Sequence, residues 1–565
     1  MTLVRLPFKT AAALAAAGAA LVLGSTMLPW TWTSSFPGDL TVAFYPAGNQ
    51  LITLVSAVLA LLFAVAALSG PRFAVLPAGR AARALRGACF GVAACTLYGV
   101  AAIAWELGGV ANWEPGAYVA AVGSLLALAG ALALPADGEA VPIAWRLPAA
   151  VEIAAVLVLV FGGMLLLSYG LATEHTEQFL AFCLAAGFAV RAVKESGLPG
   201  PVKDMFTRRR YATGVAALVA AVGFALVQTG DAYTSLAANI LVFGAVALGL
   251  NIVVGLSGLL DLGYVAFLGV GAYVAALVSG STYSRFAGEP LPFWAAMLAG
   301  MVVAVIAGVI IGAPTLRVRG DYLAIVTLGF GEIFRILVNN LDGISGPHVT
   351  NGPNGIPNIP DLVVLGYDFG EEHHFLGLTI GRFANYYLLL IAVIAFVVFV
   401  FHRVADSRIG RAWVAIREDE TAAEAMGING YRFKLLAFGL GAALAGLAGT
   451  VQAHVTTTVT PDQYQFLSTA PPNSAFLLAA VVLGGMGTVS GPLVGGFLLF
   501  VVPEKFEFFA DKQLLLFGAT LILMMRLRPE GLVPSRQARL EFHEEEIADA
   551  EAHAAVGREP AGVKA

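Results

Sequence analysis

The chain has 565 residues, 58% of them hydrophobic and only 12% charged, with a mean hydropathy of +0.81. A soluble globular chain carries about 25% charged residues, so lipid is the simplest solvent for this one. The formal net charge of −5 says nothing about nucleic acid, but there is no basic domain and no nucleic-acid partner is expected; continuous rather than alternating apolar runs argue against a β-barrel.

A hydrocarbon core about 30 Å thick needs about 20 apolar residues per helix, and such runs recur from end to end. Taking Met1–Thr10 as cytoplasmic, because Lys and Arg favour that side, the chain can be counted across the bilayer. In the first half the spans are Ala11–Leu28, Leu51–Ser69, Ala88–Ala104, Ala117–Leu134, Ala149–Gly170 and Gln178–Val193. Arg72, Arg80, Arg83 and Arg86 fall in the second connection, and Lys194, Lys203 and Arg208–Arg210 follow the sixth span, as a cytoplasmic N-terminus requires. Ala11–Leu28 reads as a retained span rather than a cleaved signal, given its length and the Trp30/Trp32 pair at its end. Cys89, Cys95 and Cys183 all lie in apolar runs, and three such thiols read as packing groups, not a disulfide or metal framework. Gly197–Pro201 is the natural boundary, leaving an N-terminal membrane region of about six spans over 1–210.

In the second half the spans are Ala212–Val227, Ser235–Val254, Leu259–Val278, Phe293–Ala313, Tyr322–Leu341, Phe383–Phe401 and Leu435–Ala453. The long loop 342–382 then falls outside and the polar segment Arg403–Lys434 inside. Ser474–Val502 is interrupted by GGMGTVSGP (Gly484–Pro492), and only a hairpin there keeps Arg526, Arg528 and Arg536, beyond Leu514–Met525, inside. Such broken segments are tolerated at membrane depth where protein buries them or a cavity is lined. The expected fold is an all-α polytopic membrane protein of about 14–16 transmembrane or re-entrant helices, with a core over 211–535 and an acidic cytoplasmic tail over 536–565. No internal repeat is legible by eye.

Arg403–Lys434 is too charged for lipid and too patterned for a linker. Trp413, Ile416, Ala423 and Met426 fall at roughly helical spacing, with Arg417, Glu418, Asp419 and Glu424 largely opposite. Gly410 precedes the pattern and Gly427 can stop it. One or two short amphipathic helices are expected, either presenting an apolar face to a partner or lying on the lipid surface.

No catalytic constellation stands out. There is no GxxxxGK[ST] loop, so ATP hydrolysis is not expected here, and no HExxH pair. His373 and His374 lie in the long loop, where adjacent histidines are usually solvated. Charges inside spans are more informative, since one at the bilayer centre costs about 2.5–3.5 kcal/mol on insertion scales. Glu332 and Arg335 are three apart on one helix face and can pair, either structurally or along a substrate path. Asp261 and Asp321 each begin a span, as helix N-terminal charges or as path residues. Tyr264, Thr327 and Asn339 either line that path or hydrogen-bond between helices. The small residues of GLGAALAGLAG (Gly439–Gly449) mark close helix packing.

Six ordered stretches resemble one family: GLNIVVGLSGLLDLGYVAFLGVGAY (Gly249–Tyr273), RGDYLAIVTLGFGEIFRILVNN (Arg319–Asn340), NGPNGIPNIP (Asn351–Pro360), AAEAMGINGYRFKLLAF (Ala422–Phe438), VVLGGMGTVSGP (Val481–Pro492) and RPEGLVP (Arg528–Pro534). Together they resemble the LivM-type permease of branched-chain amino-acid ABC importers, over about Ser235–Pro534; the first 200 residues match less clearly. The resemblance implies a permease without enzymatic activity or cofactor of its own, in the bacterial inner membrane with both termini cytoplasmic. It implies two ATPase subunits that bind ATP and magnesium, a second, homologous permease and a periplasmic substrate-binding protein. It makes 403–434 the coupling loop, with Arg411, Trp413, Ile416, Arg417, Ala422, Ala423, Met426 and Gly427 as the ATPase-coupling set. Thr421-Ala422-Ala423-x3-Gly427 fits the family's EAA-x3-G pattern except at the Glu position, Glu420 standing one residue early. Asp261, Tyr264, Thr327, Glu332, Arg335 and Asn339 remain the substrate-path candidates. Urea or amides are alternative cargoes within the family, and an ion-coupled secondary transporter is the rival outside it.

Overall fold

In a computed structural model the protein is described over residues 7–31, 49–69, 78–134, 148–173, 176–227, 231–286, 288, 290–316, 322–344, 346–347, 349–364, 366–375, 378–467, 473–506 and 512–533. Arg72, Arg317, Arg319, Asp321, Trp32 and the acidic tail 536–565 lie outside the described residues. The protein is a polytopic all-α membrane protein: among the described residues 11 helices are long and apolar enough to span a bilayer, or up to 12 if a bent pair counts as one. The chain divides into two compact units, Met1–Phe224 and Ala225–Ala565.

The N-terminal unit is built on alanine and glycine. Helices α1 (Phe8–Ser25), α2 (Asn49–Leu68), α3 (Ala78–Glu106), α4 (Pro115–Ala133) and α6 (Thr176–Ser196) share one cluster or its borders, with Ala15, Ala19, Ala81, Ala84 and Ala127 fully buried. Apolar packing has no solvent advantage in lipid, so small side chains that let backbones approach supply the contact instead. Trp30, five residues beyond the end of α1, is buried, its Nε1 donating to the Ser25 carbonyl at 2.9 Å. Two expectations need correction here. Arg80, Arg83 and Arg86 are helical, because α3 begins at Ala78 rather than after them. Cys183 is exposed, whereas Cys89 and Cys95 are buried. Helix α5 (Ala149–Ala172) is followed, beyond α6, by α7 (Pro199–Arg208) and α8 (Arg210–Val227), which meet at 95°. The Pro-rich boundary thus starts a helix: Pro199 and Pro201 sit in its first turn, where no N–H is needed. Glu152, almost fully buried on α5, holds α7 through Arg208 and Arg209, each at 2.9 Å.

The second unit is organised around two long helices, α9 (Asp231–Asn251, continued by a π-helical turn Ile252–Leu256) and α16 (Gly430–Thr456). Between them come α10 (Val265–Val278), α11 (Phe293–Thr315), α12 (Tyr322–Asn340), α13 (Arg382–Ala405), α14 (Arg408–Glu418) and α15 (Glu420–Ala425). After them come α17 (Ser474–Gly484), α18 (Ser490–Lys505) and α19 (Gln513–Leu527). The expected hairpin at Gly484–Pro492 is present, α17 and α18 packing side by side across it.

Helices α10 and α17 are half-length, with 14 and 11 residues. Their N-termini meet in the interior, where the Val265 amide donates to Ser474 Oγ at 3.0 Å, and they run to opposite ends of the unit. The packing is reciprocal: α16 carries α10 and α11, and α9 carries α17 and α18. The order long helix, break, half-helix, two more helices therefore occurs twice with the direction reversed, an inverted repeat that Gly/Ala bias hides in the sequence. At one end, the loop 341–381 folds into two antiparallel pairs, β1 (Val363–Val364) with β2 (Tyr367–Asp368) and β3 (His373–Phe375) with β4 (Leu378–Ile380). Arg382 ties that loop down, donating to Asp361 and to the His454 carbonyl, each at 2.8 Å. His373 stacks on Tyr367 at 4.0 Å and its Nε2 meets the Asp368 carbonyl at 2.6 Å, so it acts within the hairpin. Partial desolvation raises the Tyr367 phenol above its ordinary pKa, and its hydroxyl donates to Asn385 Oδ1 at 2.8 Å.

Candidate functional site

At the other end of this unit, residues 403–434 form two short capped helices, α14 and α15. Ser407 caps α14, accepting from the amides of Ile409 and Gly410 at 3.1 and 3.3 Å. Asp419 caps α15 through the Ala422 amide, and Asn429 caps α16 through the Arg432 amide, each at 3.0 Å. Three polar caps in so short a stretch are why the segment breaks where it does. Gly427 makes the turn into α16 with φ +88°.

The expected apolar docking stripe is not on the surface. Trp413 is fully buried, and its Nε1 donates to the Phe433 carbonyl at 2.7 Å. Ile416 and Ala423 are also buried, so three of the four stripe residues anchor the segment to its own chain. The physical reason is that α14 folds back on α16, whose first turn supplies the acceptor. Met426 alone remains, 84% exposed; Arg411, Ala422 and Gly427 of the expected coupling set are also exposed. Lys434 Nζ, 2.6 Å from Glu420 Oε1, further ties α15 to α16.

Arg417 turns inward: its Nη1 donates to the Gly255 carbonyl at 2.8 Å, on the π-helical turn that ends α9. One turn back, Asn251 is fully buried and grips the α17–α18 turn, donating to the Thr488 carbonyl at 2.7 Å and accepting from the Gly487 amide at 2.9 Å. Gly255 makes both approaches possible, since a Cβ there would overlap Asn251 Oδ1 and lie 2.6 Å from the Gly487 nitrogen. The residues Leu532 and Val533 donate their amides to Leu483 and Gly484 at the end of α17, at 2.9 and 2.8 Å. Sequence reading missed Asn251; the available signal was an amide side chain inside an otherwise apolar span, ALGLNIVVGL.

The path candidates fall into two groups. Asp261 does not start a helix at an interface, as expected; it lies in the break before α10 and is 1% exposed. Its Oδ1 accepts from the Gly263 amide at 2.9 Å, and Oδ2 has no hydrogen-bond partner. Thr327 joins this group, accepting from the Leu262 amide at 3.1 Å, and Tyr264 donates to the Gly441 carbonyl on α16 at 2.7 Å. Glu332 and Arg335 form the second group, paired at 2.9 Å on the open side of α12. Arg335 also lies 3.8 Å from Asp462, and Asn339 is half-buried at the end of α12 beside Gly352. Among the described residues no cluster of His, Cys, Asp and Glu could hold a metal.

The family described as "Branched-chain amino acid transport system / permease component" matches residues 232–525. The chain is 39% identical over 355 residues to the high-affinity branched-chain amino acid transport system permease protein LivM of Escherichia coli K12, covering 60% of this chain and 79% of the relative. The LivM of Salmonella typhimurium is equally similar, 39% over 356 residues with the same coverage. A second kind of permease, LivH of Escherichia coli K12, is 24% identical over 300 residues, covering 52% of this chain and 91% of the relative. No solved structure matches. The half-helix core and its polar segment lie inside the matched region, and the chain belongs to the branched-chain amino acid transport system permease family.

Proposed function

We propose that this chain is one of two permease subunits of an ATP-driven importer for branched-chain amino acids, working in the inner membrane with both termini cytoplasmic. Two ATPase subunits would bind ATP and magnesium and hydrolyse the ATP, and a periplasmic binding protein would deliver the substrate. Similarity to both LivM and LivH supports pairing with a second, related permease.

The observation that carries the reading is the route from the polar segment into the core. Met426 is the exposed apolar contact for an ATPase groove, and the charges around it set register. A push on α15 is received rigidly, because Trp413 and Lys434 lock α14 and α15 to α16. Arg417 passes it to the Gly255 carbonyl, and Asn251 passes it from α9 to the α17–α18 turn. Both long helices and the half-helix α17 thus share one handle, and opposite rocking of the two repeats opens the path to alternate sides.

Met426→Asp is expected to abolish uptake while membrane insertion and thermal stability stay unchanged, because the side chain packs against little of its own chain. Uptake by the reconstituted transporter, measured beside the amount inserted, checks this; normal uptake would reject the coupling role. Uptake that survives collapse of proton and sodium gradients but stops on ATP depletion separates this reading from ion coupling.

A further inference from the structure

Helices α11 and α12 both leave one side open in the isolated chain, but the two open sides differ. On α11 the exposed residues are apolar, including Trp294, Val302, Ile306 and Ile310, and no charged residue occurs between Phe293 and Thr315. Such a face is compatible with hydrocarbon along its whole length. On α12 only a stripe through Leu323, Ala324, Thr327, Phe334 and Val338 is buried. Its open side carries Ile333, Ile336 and Leu337 together with the Glu332–Arg335 pair. Glu332 is the eleventh of 19 residues in this helix, at its midpoint, and its side chain is 42% exposed. Gly329, on the same side, has nothing within 4 Å of where a Cβ would stand.

Hydrocarbon cannot be the neighbour of that surface. Ionisable side chains at mid-span face protein or a water-filled cavity, and pairing with Arg335 leaves nearly half of Glu332 uncovered. Nothing among the described residues of this chain covers it. We infer that the open face of α12 is the surface this chain turns toward the second permease, with Glu332 and Arg335 at the seam. This rests on the reading that the chain works beside such a permease. The occupant is a membrane protein of the same family: the ion pair at mid-depth calls for a protein neighbour with polar groups facing it, and the isoleucines beside the Gly329 gap call for a closely packed helix.

The test uses the whole transporter in native membranes, with the second permease carrying an epitope tag. A photoactivatable benzoylphenylalanine is placed singly at Ile333, Ile336, Val302 and Ile310. Irradiation is expected to yield tagged adducts from positions 333 and 336 and none from 302 and 310. In parallel, Glu332→Leu combined with Arg335→Leu makes the face fully apolar. Recovery of the tagged permease with this variant is expected to fall by about tenfold at equal insertion, the scale of one lost buried anchor. If α12 faces lipid, the double variant will recover its partner as well as the unmodified chain does, and positions 333 and 336 will behave like 302 and 310; either result overturns the inference. If the unmodified chain fails to recover the second permease at all, the functional reading falls and this one falls with it.

Discussion

Helices α16 and α12 are almost equally apolar, yet they live differently. In α16, 83% of the most apolar window is buried; in α12, 33%. The difference lies in size, not hydropathy. Gly446 and Gly449 of α16 face the backbone and small side chains of α10 and α11, and Gly446 has room for no Cβ, which would lie 2.6 Å from the Ala304 methyl. Gly329 of α12 faces open space. In lipid, an apolar residue gains nothing by leaving the solvent, so burial follows how closely backbones can approach.

That contrast can be broken by enlarging each glycine in turn. Gly449→Leu should have the largest effect. Its Cβ would overlap the Leu268 carbonyl and come within 3.0 Å of the Ala272 nitrogen, so α10 must move off α16. The expected cost exceeds the ~1–3 kcal/mol usual for overpacking, because backbone rather than a flexible side chain is struck. Loss of monodisperse protein in detergent would show it, and a normal yield would refute the seam. Asn251→Leu comes next. It strands the Gly487 amide and the Thr488 carbonyl in a part-buried site, at up to about 1–3 kcal/mol for each unsatisfied group. A lowered unfolding temperature, with more ATP hydrolysed per substrate imported, is the expected pair of readings. Gly329→Ala should change stability by about 0.5 kcal/mol or less, within the range of surface substitutions. A large loss there would mean that α12 is already packed against something in the isolated chain.

Several elements were legible in advance because lipid imposes simple rules. The spans around Ala117–Leu134, Phe293–Ala313 and Phe383–Phe401 fall within a few residues of α4, α11 and α13. The hairpin at Gly484–Pro492 followed from the glycine-rich interruption together with the placement of Arg526, Arg528 and Arg536. The docking stripe was misjudged for a physical reason: Trp413, Ile416 and Ala423 have the spacing of an exposed amphipathic face, and periodicity cannot say whether that face meets a partner or its own chain. Asp261 was misplaced because an apolar run from Leu259 to Val278 looks like a full span, whereas the helix starts only at Val265.

Taken by itself, the order of residues determined that this is a membrane protein of many helices, where the polar segment lies, and which family it belongs to, because length, hydropathy and short motifs are local properties. Tertiary structure alone decided that two of those helices are half-length and meet head to head, that Arg417 and Asn251 connect the polar segment to the core, and that Glu332 sits on a face left open among the described residues. Each of these depends on residues far apart in the chain: Asn251 and Thr488 are separated by 237 positions. A contact over that separation is set by which helix backbones can approach most closely, and hydropathy along the chain carries no record of it.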